Sequence, residues 1–192
     1  GPRDRISARV TTIISDMVRL DLIILEDPAR LVSDALRILT YPPPLVSYLE
    51  AALSNVGEEL IGYKRIDLVQ ESFRLLSEDE NVKNNFDFYL HILTSYAMVL
   101  QEAGEADAAN AAMDRVFEEM DSPSVSAARK SRIYLARGYY LRGRQGNLAG
   151  AIEDLQEAHT CSPHELTYLV RLTETYLADG KWQELIDFIR PI

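Results

Sequence analysis

Three times in the second half of this chain, a run with helical spacing of apolar residues ends at glycine, a second such run follows, and proline then closes the unit. Tyr89 to Ala103 ends at Gly104, and Ala106 to Met120 leads to Pro123. Val125 to Arg144 ends at Gly146, and Leu148 to Thr160 leads to Pro163. His164 to Ala178 ends at Gly180, and Trp182 to Ile189 leads to Pro191. Glycine adopts the left-handed conformation that terminates a helix without a Cβ clash, and proline just beyond a helix blocks its continuation. The order predicts antiparallel helical pairs with short turns. An all-α fold follows, because no stretch keeps the period-two alternation of a half-buried strand.

Upstream the same periodicity continues with weaker punctuation. Val10, Ile13, Ile14, Met17 and Leu20 mark one face of a helix from Ile6 to about Leu25. Asp27-Pro28 reads as the cap and first residue of a helix over Ala29 to Leu39, which stops at Tyr41-Pro42-Pro43-Pro44. A third helix is expected from Leu45 to Ser54. After Val56-Gly57, the stretch Glu58 to Leu76 reads either as one kinked helix or as two short ones around Gly62. The charged segment Ser77-Glu78-Asp79-Glu80-Asn81 reads as a loop or fraying helix end and supplies the internal boundary. It divides a divergent helical region at 3–83 from paired helices at 84–192, in units of about 86–123, 124–163 and 164–192.

A chain of 192 residues that is 47% hydrophobic can bury a core without disulfides or a structural metal. Apolar runs such as Leu22-Ile23-Ile24-Leu25 are far too short to cross a bilayer. The single Cys161 leaves no internal disulfide, and the first residues do not form a secretory leader, so a cytoplasmic or other reducing intracellular location is expected. A formal charge of −10 sets aside nucleic acid and acidic membranes, whose binding rests on Lys and Arg. Gly1-Pro2 looks like the remnant of a cleaved tag, and Pro191-Ile192 stops within a helical region, so a fragment of a longer protein is expected.

The offsets within the units are specific. Five positions after Gly146 comes Ala151, followed by Leu155, Ala158 and Pro163; Gly104 is followed by Ala109, Met113 and Val116, with Ala97 and Leu100 upstream. Gly180 and Trp182 are followed by Leu185, with Leu169, Leu172 and Tyr176 upstream. In these small and large positions, over roughly the last 110 residues, the chain resembles the tetratricopeptide repeat, a helical pair of about 34 residues. The interval from Gly146 to Gly180 equals that period, whereas the interval from Gly104 to Gly146 is longer, so the middle unit departs from it. The resemblance implies a right-handed α-solenoid of antiparallel hairpins, whose first helices line a concave surface used for partners. The region at 3–83 is either a set of degenerate repeats or a separate helical cap.

In that register the concave face comprises His91, Thr94, Met98 and Gln101, then Arg132, Leu135, Tyr139 and Arg142, then Thr167, Val170 and Glu174. The middle stripe is unusual: Arg129, Lys130, Arg132, Arg137, Arg142 and Arg144 fall in a stretch without an acid, although the chain is acidic. Arg forks beside Tyr suit an acidic or carboxylate-bearing peptide. The alternative is a set of solvated residues pairing with Glu102, Glu105, Asp107, Glu118 and Glu119. The Lys, Asn and Arg clamp by which some members of the family hold chaperone C-termini is missing.

His159, Cys161 and His164 lie close in sequence, but structural zinc takes four ligands and there is no second Cys. Gly143, Gly146 and Gly150 follow no strand and precede no Gly-Lys-Ser/Thr, so turn formation explains them. No metal, cofactor or catalytic residue is expected. The expected function is a scaffold or adaptor module binding a protein or peptide; the alternative is a regulatory sensor arm packed on a neighbouring effector domain. Self-association through exposed terminal helices is a further expectation.

Overall fold

The computed structural model describes residues 2–118, 120, 125–143 and 146–190, with side chains from Ala8 onward apart from Pro44. Glu119, Pro123, Arg144 and Pro191 of the sequence pattern lie outside the described residues. Among the described residues the protein is all-helical, without strands. The helices are α1 (Pro2–Arg19), α2 (Pro28–Leu39), α3 (Pro43–Gly62), α4 (Ile66–Glu78), α5 (Glu80–Asn84) and α6 (Phe86–Glu102), followed by α7 (Ala106–Glu118), α8 (Ala127–Gly143), α9 (Leu148–Cys161), α10 (Leu166–Ala178) and α11 (Trp182–Ile189). A π-helical turn, Leu20–Ile24, extends α1.

Local chemistry accounts for most boundaries. The Asp27 carboxylate accepts from Arg30 N–H at 3.0 Å, with Pro28 in the first helical position, as the sequence predicts. Gly104, Gly146 and Gly180 have φ of +83°, +63° and +71°. At Gly104 and Gly180 the turn closes by paired backbone bonds: Gly104 N–H to Gln101 O and Glu105 N–H to Leu100 O, then Gly180 N–H to Leu177 O and Lys181 N–H to Tyr176 O. These satisfy carbonyls that a helix end would otherwise leave orphaned. Lys64, at φ +60°, closes the α3–α4 turn with the same pair of bonds, Lys64 N–H to Ile61 O and Arg65 N–H to Leu60 O. Glu26, at φ +52°, precedes α2. Its carboxylate is held bidentately by Arg65 at 2.6 and 3.2 Å, so the two non-glycine turns are tied to each other.

Several expectations are corrected. The helix expected to stop near Ser54 continues as α3 through Val56-Gly57 to Gly62. Gly57 acts there as a contact point instead of a breaker: a Cβ built on it would lie 3.7 Å from Val69 of α4. The segment 77–81 is the end of α4 and the start of α5, because Asp79 accepts from Asn81 N–H at 2.8 Å and starts a new helix. On α1 the buried row is Ile14 and Val18, continued by Leu22, while Ile13 and Leu20 are exposed. Two adjacent apolar rows exist on that helix, and only one meets a neighbour.

The chain forms two compact units, Gly1–Ala112 and Met113–Ile192. In the first, α1 packs on α3, α2 on α3 and α4, and α6 on α3 and α4, with α5 against α4 and α6. Leu31, Leu49, Val56, Leu60, Phe88 and Ile92 are fully or nearly fully buried at its centre. In the second unit α8 packs closely on α9, α9 on α10, and α10 on α11. Gly138 lets α8 and α9 approach, since a Cβ there would stand 3.1 Å from Leu155 Cγ. Ile152, Leu155, Leu172, Tyr176 and Leu185 form one apolar cluster, with Leu135 and Phe188 packed against it.

Candidate functional site

The candidate residues fall into two groups, one in each unit. In the first unit His91, Thr94, Met98 and Gln101 lie on α6 and are all half-buried. Burial lowers the His91 pKa, opposed by a hydrogen bond to the Glu50 backbone, and its Nε2 lies 3.3 Å from Ser95 Oγ. Thr94 turns its hydroxyl back to Leu90 O at 2.8 Å, so it presents its methyl group rather than a donor. Beside them is a cleft of about 210 Å³ lined by Pro43, Val46, Ser47, Glu50, Asn85, Asp87 and Phe88. Burial, then repulsion from Asp87, raises the pKa of Glu50. Sequence reasoning missed this cleft because Glu50 and Asp87 are far apart in the chain and lie on different helices, α3 and α6.

In the second unit the face is built from α8 and α10. Their bases are joined by buried hydroxyls: Ser131 Oγ lies 3.0 Å from Tyr168 OH, and Ser162 Oγ donates to Ser131 Oγ at 3.1 Å. Above this seam, Glu174 Oε2 receives Arg171 Nη1 at 3.0 Å and Arg142 Nη1 at 3.4 Å. The Arg171 guanidinium also sits 5.7 Å from the centroid of the Tyr139 ring. Hydrogen bonding to Arg171, with a smaller contribution from Arg142, holds the Glu174 carboxyl below its ordinary pKa. Two guanidiniums thus share one carboxylate beside an aromatic ring. Val170 is 52% exposed and Leu166 70% exposed, one and two turns before Glu174 on α10. Arg132 is exposed, whereas Leu135 packs on the core cluster. Thr167 turns its hydroxyl to Glu165 at 2.8 Å.

The rest of the basic stripe does different work. Arg137 grips Asp154 of α9 bidentately, with Nε 2.6 Å from Oδ2, and its guanidinium stacks 3.7 Å from the Phe117 ring centroid. Asp154 is buried; burial pushes its pKa up, and the Arg137 fork opposes that shift. Arg137 is therefore a packing residue, and Arg129 and Arg132 are also engaged. Within this unit Arg137 meets Asp154 and Arg142 meets Glu174, carboxylates of the helices that follow α8. In the first unit Glu105 accepts from Gln70 Nε2 at 2.8 Å. Arg171 escaped sequence reasoning, although its place one helical turn before Glu174 is a visible ion-pair signal.

Near the end of α9, His159 stacks edge-on against Phe188 with centroids 5.9 Å apart, and burial pushes the Cys161 thiol pKa up, away from a reactive thiolate. Among the described residues no group of three or more His, Cys, Asp or Glu is placed to hold a metal ion. None of the described helices is long and apolar enough to cross a membrane. Compared with protein-family models, curated proteins and solved structures, the chain matches none.

Proposed function

We propose that this protein is a non-catalytic interaction module, an array of antiparallel helical hairpins of tetratricopeptide-like design that holds an acidic peptide segment of a partner protein. The observation that carries the reading is the α8–α10 face. There Arg142 and Arg171 share Glu174 beside Tyr139, next to exposed Val170 and Leu166. Such a face offers charge-assisted hydrogen bonds to carboxylates and apolar contact to a neighbouring side chain. The right-handed solenoid architecture belongs to the same proposal. It is supported by the recurrence of a left-handed residue between helices, at Glu26, Lys64, Gly104, Gly146 and Gly180. The complete burial of Ala109, Ala151 and Ala158, where the repeat calls for small residues, also supports it.

The test is capture of a partner from native lysate on immobilised wild type beside an Arg132→Glu/Tyr139→Ala/Arg142→Glu variant shown by circular dichroism to be folded. A partner bound by wild type should be lost from the variant. Its binding should weaken as salt rises, because the contacts are ionic and partly exposed. Equal retention by both proteins would remove the α8–α10 face as the recognition surface.

A further inference from the structure

The cleft of the first unit lies where the first turns of α3 and α6 come together. Pro43 opens α3, and the Asn85 side chain caps α6 by accepting from Phe88 N–H at 3.4 Å. The two helices pack on each other, and a His91 ring N–H donates to the Glu50 backbone carbonyl, which fixes Glu50 relative to α6. Val46 and Phe88 are 8% and 0% exposed, so they form the floor of the cleft, while Pro43, Ser47 and Asp87 are exposed at its rim.

Glu50 is the group this fold leaves unbalanced. Its side chain is half-buried, and burial, then the charge of Asp87, raises its pKa. Among the described residues no cation and no hydrogen-bond donor to its carboxylate offsets either effect, and the cleft lining holds no basic side chain. A half-buried carboxylate in that setting costs free energy that a bound cation recovers. The Ser47 hydroxyl spends its hydrogen on Pro43 O at 3.5 Å, so it has only acceptor capacity left. The positive end of α6 disfavours a cation, but Asp87, itself in that first turn, offsets it. The volume of about 210 Å³ falls below the roughly 300–1,000 Å³ of sites for drug-sized ligands, so one slender group fills it. A bare divalent cation takes about six or more oxygen ligands, which a cleft walled by Pro43, Val46 and Phe88 does not supply. An ammonium on an unbranched aliphatic stem matches both walls: three donors for the carboxylate and hydroxyl oxygens, and methylenes for the apolar floor. We propose that this cleft binds a primary alkylammonium group, its charge on the Glu50 carboxylate and its stem against Val46 and Phe88.

The probe is n-butylammonium, titrated into isotope-labelled protein at neutral pH and followed by amide chemical shifts, with butan-1-ol as the neutral counterpart. Saturable shifts are expected at the amides of Ser47, Glu50, Asp87 and Phe88, with a Kd on the order of 1–10 mM for so small a ligand. Glu50→Gln, shown by its amide spectrum to be folded, should bind butylammonium about tenfold more weakly, the difference between a charge-assisted and a neutral hydrogen bond. Butan-1-ol should be weaker on wild type by a similar factor. No saturable shift at those amides, equal binding of butan-1-ol, or unchanged affinity in Glu50→Gln would each overturn the proposal. A parallel titration with Nα-acetyl-lysine methylamide separates the sources of the group. Saturation at the same amides assigns the cleft to a lysine side chain of a partner; its exclusion while butylammonium binds assigns the cleft to a free amine. None of these results depends on the α8–α10 face.

Discussion

Asp21 is fully buried in the π-helical turn that ends α1, and replacing it with asparagine should make the protein more stable at neutral pH. The Arg30 Nε lies 3.1 Å from Asp21 Oδ1, yet its N–H is not aligned as a hydrogen bond, and neither carboxylate oxygen has a donor. Burial, then the nearby charge of Asp34, raises the Asp21 pKa above its ordinary 3.8, and Arg30 pulls the other way. A carboxyl whose pKa is raised on folding contributes stability that is complete below its unfolded pKa and is lost as pH rises through the native one. At pH 7, therefore, the native state carries a cost that an amide does not. A buried polar group without partners costs roughly 1–3 kcal/mol. The pair with Arg30, whose side chain is 52% exposed, offsets only about 0–1 kcal/mol of that. Asp21→Asn, able to donate to Asp34, is expected to gain about 1 kcal/mol at pH 7 and close to nothing near pH 4. Urea unfolding followed by circular dichroism, at several pH values between these limits, reads the difference as a shift in midpoint of about 0.5 M. A loss of stability at pH 7, or a difference independent of pH, would refute the reasoning.

The left-handed turns predict opposite effects of glycine. Gly104→Ala meets no atom within 4 Å, so its cost is conformational, about 1 kcal/mol, whereas Lys64→Gly relieves the same strain and should stabilise by about 0.5–1 kcal/mol; thermal unfolding of the two variants checks the signs. Asp154→Ala leaves the Arg137 fork unpaired beside Phe117. Breaking a buried pair costs about 3–5 kcal/mol, but Arg137 is 37% exposed, so a loss of about 2 kcal/mol is expected in urea unfolding.

The half of the chain punctuated by glycine was legible where glycine takes the left-handed turn conformation, whereas Gly143 and Gly150, expected in a turn, lie within α8 and α9. Gly104, Gly146 and Gly180 mark their turns in one letter each. Glu26 and Lys64 adopt the same conformation with ordinary side chains, and nothing local distinguishes them from helix residues. The Glu26 side chain pairs with Arg65, far along the chain, a contact visible only in three dimensions. Asp21 shows the same limit in another form: periodicity treats aspartate as solvent-facing, and the π-helical turn rotates it inward.

The basic stripe of α8 shows why a charge pattern is not yet a site. Read along the sequence, Arg137 and Arg142 are equivalent members of one cationic run. Folding separates them by what each meets. Arg137 finds a carboxylate of its own on α9, buried and held in two places, so its charge is spent inside the unit. Arg142 finds Glu174, which Arg171 already engages at shorter range. Two guanidiniums share one carboxylate here, and a guanidinium has five donors, which is the chemistry that the proposed function draws on. The second guanidinium that Glu174 meets comes from α10, outside the stripe. The recognition chemistry proposed for this protein therefore arises from the packing of α8 against the neighbourhood of α10, and neither helix carries it alone.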